Sequence, residues 1–446
     1  MKIKIENIGF VKIADVEING ITVIAGENNT GKSTIGKSLY SIFNSFYDVE
    51  HQIKKERIES IERILDYNIG YSNDKIRNAF VDTQEISEKL INEYLNFNDK
   101  SNLKNELEKS LFKNIPDSED SDFLENKDAA IDKIIQYLTI DDNTFLKNLL
   151  SKRLNAEFNS QLQNVFCNQS SSKIVLTIKD CKIEAIIEEN KVSEIKNSIN
   201  LKTEALYIDD PFILDSKNIR FFFRRYDTHF QHRNHLLARI LRTSKKNTLQ
   251  EIVDNNRMKK IYSTITKICD GDITVEGSRF GLTFETENVG TKLLEFSNIS
   301  AGLKTFAIIK TLLQNGSLEE NGTIILDEPE VHLHPEWQVV FAEIIVLIQK
   351  EFNMHILINT HSPYFLNAIE VYSEKHNIVD RCKYYKAINE GSYSIIKDCT
   401  ENIDEIYRQL SKPFQDLENE RCDIVNIGLH FILKNVRPYA APCSEA

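Results

Sequence analysis

No stretch of the chain approaches eighteen consecutive apolar residues, so nothing in it reads as a membrane-spanning helix. The opening MKIKIENIGF also lacks the apolar central stretch and small-residue cleavage site of a signal peptide. Together these absences lead to the expectation of a cytoplasmic protein with no membrane partner. Paired cysteines are missing too. The seven present, Cys167, Cys181, Cys269, Cys382, Cys399, Cys422 and Cys443, are scattered and never spaced C-x-x-C, which removes zinc and redox motifs and reads as free thiols. Positive charge is in deficit, with 55 Lys and Arg against 67 Asp and Glu, a formal net charge of −12. Coating nucleic acid needs positive charge, so the balance argues against a general binder while leaving room for a local basic patch.

What is present suggests two or three domains, since 446 residues exceed one simple domain and 41% hydrophobic content suffices for a core. The first 24 residues form short β-type segments broken by Asn-Ile-Gly and Asn-Gly turns, predicting a small antiparallel layer that feeds a central strand, ITVIA. From Tyr47 to Ser172 the only breakers are Gly70 and Pro116, and apolar residues recur at helical spacing, as in Ile58, Ile61, Leu65 and Ile131, Ile134, Ile135, Leu138. That region is expected to be a helical insertion of several segments. The acidic break PDSEDSDFLENKD argues against a long coiled coil. Strand signals return from KIVLTIKD to TEALYIDDPFIL, and a second helical stretch is expected over 217–268. Beyond it, TIILDEP, PEWQVVFAEIIVLIQK, HILINTHS and PYFLNAIEVYSEK alternate strand with helix, the pattern of a parallel α/β sheet. The expected division is an α/β core in two parts, 1–46 and 173–399, separated by a helical insertion at 47–172 and followed by a short helical tail, 400–446.

GENNTGKS, Gly26 to Ser33, matches G-x-x-x-x-G-K-[ST] between a predicted strand and a predicted helix. Such a loop wraps its backbone amides around phosphate oxygens at a helix N-terminus, with Lys32 reaching the terminal phosphates and Ser33 able to hold Mg²⁺. Gly26, Asn28, Asn29, Gly31, Lys32, Ser33 and Thr34 are the candidate ATP-binding residues. TIILDEPE ends a second strand in Asp327, placed to order the metal, and Glu328, placed to activate water. HILINTHSP brings Thr360 and His361 to a third strand end, where an imidazole can hydrogen-bond a terminal phosphate. His332 and His334 lack nearby third and fourth ligands and do not predict a metal site. SNISAGLKTF opens another helix, with Ser300 as its N-cap and free amides at its start.

In this order the motifs resemble the ABC-type ATPase core, over Met1 to about Tyr47 and about Lys173 to Ile396. The resemblance implies a fold with a mixed sheet around the phosphate loop, an antiparallel β layer, and here a large helical insertion. It also implies a head-to-tail homodimer or higher homo-oligomer, in which Ser300 and Gly302 of ISAGLK cap the nucleotide held by the other copy. ABC-type heads carry a metal-contacting Gln where this chain has YIDDPF, so Asp209 or Asp210 stands in its place.

GENNTGKST, LDEPEVHLHP and NTHSPYFLNAI together resemble the compact RecF-like and OLD-like members. No Glu followed by a D-x-D strand end, the mark of an OLD-type Toprim nuclease, occurs after His361, so the chain is expected to have no nuclease activity of its own. The combination is similar to the PtuA group of Septu-type and retron-linked antiphage ATPases, which implies a separately encoded HNH nuclease (PtuB-like) as partner. A RecF-like DNA-binding clamp in repair and an ATP-binding scaffold with little turnover remain open. Lys217 to Lys246 holds nine Lys or Arg against one acid, with interleaved aromatics. It would suit phosphate backbones and bases, through Arg220, Arg224, Arg225 and Arg233, or equally a charged helical face that pairs with the acidic insertion.

Overall fold

The computed structural model describes residues 1–66, 83–96, 103–112, 121–166, 171–215, 230–243, 248–276, 279–286 and 290–435. They fall into two compact units, one of Met1–Gly36, Asn164–Asn168 and Leu206–Ala446, the other of Lys37–Gln163 and Gln169–Ala205.

In the first unit, β1 (Lys2–Ile8) and β2 (Val11–Glu17) form an antiparallel hairpin whose turn takes Asn7 and Gly9 through positive φ, as the Asn-Ile-Gly signal predicts. β3 (Ile21–Ala25) leads into the phosphate loop and helix α1 (Lys32–Phe46). The chain over 37–163 and 169–205 belongs to the other unit, which contributes five further helices, α2–α6 (within 49–158), and three strands, β4–β6 (within 172–197). β7 (Ala205–Ile208) is followed by α7 (His232–Ile240) and α8 (Thr248–Thr266). A small antiparallel sheet comes next, β8 (Asp272–Glu276), β9 (Arg279–Thr286) and β10 (Gly290–Glu295), ordered β10-β9-β8. The chain then runs through α9 (Ala301–Gln314), β11 (Thr323–Asp327), α10 (Pro335–Phe352), β12 (His355–Thr360), α11 (Pro363–Lys375), β13 (Cys382–Asn389), β14 (Ser394–Asp398) and α12 (Asp404–Asn435).

The strands of this unit lie in the order β1-β2-β14-β13-β3-β12-β11-β7. β3 is central, parallel to both β12 and β13, and β12 is parallel to β11, while the β1–β2 and β13–β14 pairs are antiparallel. The mixed sheet with an antiparallel layer expected from the sequence is therefore present. Every residue of β3, β7 and β11 is buried, because both faces are covered, and such strands read as unbroken apolar runs. One face carries Ile21, Val23, Ala25, Ile324, Leu326, Ile356 and Ile358 into a core shared with Phe306, Phe341 and Phe365. Phe306 and Phe341 meet edge to face with centroids 5.5 Å apart.

The sharp starts of three helices follow from their caps. Ser300 caps α9 and Ser362 caps α11, each accepting a backbone N–H three residues on, and His334 caps α10 with Pro335 directly after it. α12, a helix of 32 residues within the 400–446 tail, contains Pro413. Among the described residues no helix is long and apolar enough to cross a membrane, and Cys181, Cys269, Cys382 and Cys399 are free.

The second unit holds α1 from Lys37 onward with α2 (Val49–Ile64), α3 (Thr83–Asn96), α4 (Leu103–Phe112), α5 (Ser121–Thr139) and α6 (Asp142–Phe158). It also takes in the antiparallel strands β4 (Ser172–Ile178), β5 (Cys181–Glu188) and β6 (Lys191–Asn197). Ile61, Leu65, Ile131, Ile134 and Leu138, singled out by helical spacing, form one buried cluster with Leu90, Ile91 and Tyr94, and Ile58 and Ile135 pack at its margin. The 47–172 segment thus falls largely within a unit that extends to β6 on one side and into α1 on the other.

Candidate functional site

Parallel pairing brings three strand ends together. Asp327 pairs with Asn359, Asn359 with Ile24, and Thr360 with Ala25, so the residues just past β3, β11 and β12 emerge side by side. This places the phosphate loop, Asp327–Glu328 and Thr360–His361 at one edge of the sheet, as their order in the sequence predicts.

In the loop, Asn29 and Gly31 adopt positive φ of 58° and 76°. A side chain at Gly31 would be strained by that conformation and its Cβ would lie 2.6 Å from Val11 Cγ2. Lys32 is buried at the start of α1, and its ammonium donates to the carbonyls of Gly26 at 3.0 Å and Glu27 at 2.8 Å. Thr34 N–H donates back to Gly31 O at 3.0 Å, while Asn28 and Asn29 are exposed and Ser33 is half-buried. Burial lowers the Lys32 pKa, and the carboxylates of Glu328 and Asp327 oppose that shift.

Asp327 is a buried carboxylate with both oxygens occupied, Oδ2 by the Tyr207 hydroxyl at 2.6 Å and Oδ1 by Asn359 Nδ2 at 2.9 Å. Glu328 follows at φ 51°, a left-handed conformation that costs a non-glycine residue about 1 kcal/mol or more. That turn aims its carboxylate back over the loop. Oε1 lies 3.6 Å from Lys32 Nζ and 3.4 Å from His361 Nδ1, the latter an ion-pair distance without hydrogen-bond alignment. His361 beside it and Lys32 hold the Glu328 carboxyl below its ordinary value of 4.5, and Glu328 holds the His361 imidazole above 6.5.

The sign of this coupling sets a pH window. The lowered carboxyl favours the pair above the ordinary carboxylate pKa, and the raised imidazole favours it fully below 6.5, with the attraction fading as pH climbs through the folded value of His361. An NMR titration of His361 is expected to give a midpoint above 6.5 that moves down in Glu328→Gln. A midpoint indifferent to that substitution would contradict the pairing.

The remaining predicted residues lie elsewhere. Ser300 caps α9, and Gly302 packs where an added Cβ would come 3.0 Å from His332 O and 3.1 Å from the Trp337 ring. Local packing therefore already favours a glycine there. Asp209, considered as a stand-in for the missing Gln, accepts from Arg233 at 2.8 Å and lies 3.1 Å from His232 Nε2. Burial pushes its carboxyl up, but His232 and Arg233 outweigh burial and bring it down to about 2. Arg233, its side chain half-exposed, thus pairs with Asp209 and lies 3.5 Å from Asp210. Arg220, Arg224 and Arg225 lie outside the described residues.

Three residues at the site were not anticipated from the sequence. Tyr207 and Asn359 orient Asp327, and Glu330 lies behind His361, with Oε1 accepting the Thr360 hydroxyl and, at 3.2 Å, the His361 N–H. Only the third acid of LDEPE and the Asn of INTHS hinted at two of them; Tyr207 gave no signal.

These groups suit a nucleotide with Mg²⁺. Glycine at positive φ keeps the loop open to an anion, and Ser33 and Asp327 supply the hard oxygens Mg²⁺ prefers. Among the described residues no group of three or more His, Cys, Asp or Glu could hold a metal ion. Tyr207→Phe removes one of the two donors that orient Asp327. It is expected to raise the Mg²⁺ concentration needed for nucleotide binding about 10-fold, as loss of an outer-shell partner does. A Mg²⁺ titration of fluorescent-nucleotide binding would show this, and an unshifted curve would remove Tyr207 from the site.

A family model described as "AAA domain, putative AbiEii toxin, Type IV TA system" matches residues 21–367. The chain is 28% identical over 118 residues to the Retron Vc95 probable ATPase of Vibrio cholerae serotype O1 biovar El Tor, covering 24% of this chain and 22% of that protein. It is 24% identical over 380 residues to Endonuclease GajA of Bacillus cereus (strain HuB5-5), covering 78% of this chain and 52% of that one. The chain thus spans about half the length of one of these relatives and a smaller part of the other. A solved SmcHead bound to the C-winged helix domain of ScpA is similar over 89% of this chain and 96% of that one, at 10% identity and a TM-score of 0.38.

Proposed function

Because the chain belongs to the AAA-domain family whose model spans residues 21–367, we propose that it binds ATP with Mg²⁺ and hydrolyses it, and that nucleotide state controls a separately encoded HNH-type nuclease in antiphage defence. The observation that carries the hydrolytic part is the convergence of Lys32, Glu328 and His361, each within 3.6 Å of the next, from three separate strand ends.

In this reading the amides of Gly26–Ser33 and the Lys32 ammonium hold the terminal phosphates, and Ser33 and Asp327 would hold Mg²⁺, whose chemistry there would be to neutralise charge on the phosphates. Glu328, kept ionised by His361 and Lys32, accepts a proton from water as its oxygen bonds to the γ-phosphorus and the bond to the bridging oxygen breaks, giving ADP and phosphate. His361 faces the terminal phosphate. Ser300 and Gly302 act on the nucleotide of a second copy in a head-to-tail homodimer or larger homo-oligomer, with the N-terminus of α9 turned to the anion.

The defence role is supported by the likeness to a retron ATPase and to GajA, and by the motif resemblance to the PtuA group of Septu-type systems. The test is affinity purification of the tagged chain from its native operon, with and without ATP, followed by mass spectrometry and a DNA-cleavage assay. A co-purifying HNH nuclease whose recovery depends on nucleotide, together with no cleavage by the chain alone, is the expected result. A dimer that gains DNA without any nuclease would favour the RecF-like clamp, and cleavage by the isolated chain would place the nuclease within it.

A further inference from the structure

Glu330 is an expensive residue where it lies. Its side chain is 2% exposed, and a carboxyl in such a place is less favourable than an apolar residue of similar size unless its oxygens are used. Burial raises its pKa, against the donors that face it. Oε1 is used twice, by the Thr360 hydroxyl and by the His361 N–H at 3.2 Å, and Oε2 has no hydrogen-bond partner among the described residues.

These bonds form a directed chain. Ser362 N–H donates to Thr360 Oγ1 at 3.0 Å, so the Thr360 hydroxyl proton is free to point at Glu330. A second tie runs in parallel. Gln338 Nε2 donates to the Glu330 carbonyl at 3.3 Å, and Gln338 Oε1 accepts the Ser362 hydroxyl at 3.3 Å. The turn after Glu328 and the turn after β12 are therefore joined twice, once through the Glu330 side chain and once through Gln338. Both ties converge on residues adjoining His361, whose imidazole meets Glu328 at 3.4 Å and lies 3.9 Å from Glu330 Oε1.

We propose that Glu330 is a positioning residue for hydrolysis, latching the end of β12 to the Glu328 turn so that His361 and Glu328 keep their mutual register. Glu330 does not touch the nucleotide in this scheme; it acts through the backbone of His361 and the hydroxyl of Thr360. The inference rests on the hydrolytic reading above. A registry error of about 1 Å between catalytic groups can lower turnover by about 10²-fold without weakening substrate binding, which is the signature such a latch should leave.

The experiment compares Glu330→Gln, which keeps an acceptor oxygen, with Glu330→Leu, which fills the space without one, measuring kcat and KM for ATP and the Kd of a fluorescent ATP analogue in the full chain. Glu330→Leu is expected to lower kcat by about 10- to 100-fold with Kd changed less than about 3-fold, and Glu330→Gln to stay within about 3-fold of the parent. Equal kcat in the two variants, or a Kd that weakens in step with kcat, would overturn the latch and leave Glu330 a packing residue. Should Glu330→Leu fail to fold, Thr360→Val removes the hydroxyl donor at nearly constant volume. An approximately 10-fold loss of kcat at constant Kd then supports the latch, and an unchanged kcat refutes it. Glu328→Gln runs alongside as the control on the underlying reading. Full turnover in that variant would sink the hydrolytic scheme and the latch with it, whereas a dead Glu328→Gln beside an unaffected Glu330→Leu would sink the latch alone.

Discussion

Glu328→Gln should reduce ATP turnover by about 10²- to 10⁴-fold while leaving nucleotide binding intact, the range expected when a positioned general base is removed. The substitution keeps size and polarity, so the turn at φ 51° and the approach to Lys32 and His361 should survive. What is lost is the negative charge that accepts the proton of water. That charge is held in place by His361 first and Lys32 second, both of which lower the Glu328 pKa and keep the carboxylate ionised near neutral pH. Removing it should also ease the repulsion of the nucleotide phosphates, so the Kd for ATP should stay level or tighten. Phosphate release at saturating ATP, measured beside equilibrium binding, checks both halves. Turnover within 3-fold of the parent would identify the chain as an ATP-binding scaffold or place the base elsewhere.

Lys32→Ala has the opposite signature, failing at binding before chemistry. Its ammonium is 4% exposed and already bonded to the carbonyls of Gly26 and Glu27, so the side chain both shapes the loop and presents its charge to the phosphates. A charge-assisted hydrogen bond contributes about 1.5–3 kcal/mol, so loss of the phosphate contacts should weaken ATP binding by about 10²-fold or more. The change also leaves Glu328 facing the phosphates with no cation between them. Isothermal titration with ATP and Mg²⁺ is the direct measurement. If assembly depends on bound nucleotide, native mass at millimolar ATP should show this variant falling behind the parent in dimer formation. Affinity within a few-fold of the parent would mean that the loop binds something other than a polyphosphate.

Lys32→Ala and Glu328→Gln both act on residues that could be found without coordinates, and the reason is local. A phosphate loop needs glycine where φ turns positive, a lysine one residue later and a helix directly after, so GENNTGKS encodes its conformation within eight residues. LDE and THS are legible for a related cause, since a strand buried on both faces is mostly apolar and the polar residues that close the run mark its end. Tyr207, Asn359 and Glu330 had no comparable mark. Tyr207 reaches Asp327 across 120 positions, a partnership created only when β7 is laid beside β11. Glu330 looked like one more acid in a polar turn until the fold buried it under Thr360 and His361.

Arg233 illustrates the converse. In sequence it belongs to a basic run suited to nucleic acid or to a pairing with the acidic insertion; in the fold its half-exposed guanidinium pairs with Asp209. Charge counts along the chain cannot distinguish a phosphate-binding arginine from one satisfied by a carboxylate 24 positions away. Gly302, read as part of a signature motif, also lies where an added Cβ would crowd His332 O and the Trp337 ring.

By itself, then, the sequence determined the chemical vocabulary of this protein: a phosphate loop, two acids and a histidine, each at a strand end, because the backbone requirements of those turns are met by neighbouring residues. Only the tertiary structure decided how these groups are held, through Tyr207 and Asn359 on Asp327, Glu330 behind His361 and Arg233 on Asp209. Such pairings depend on strand order and burial, which bring together residues whose separation along the chain carries no trace of their contact.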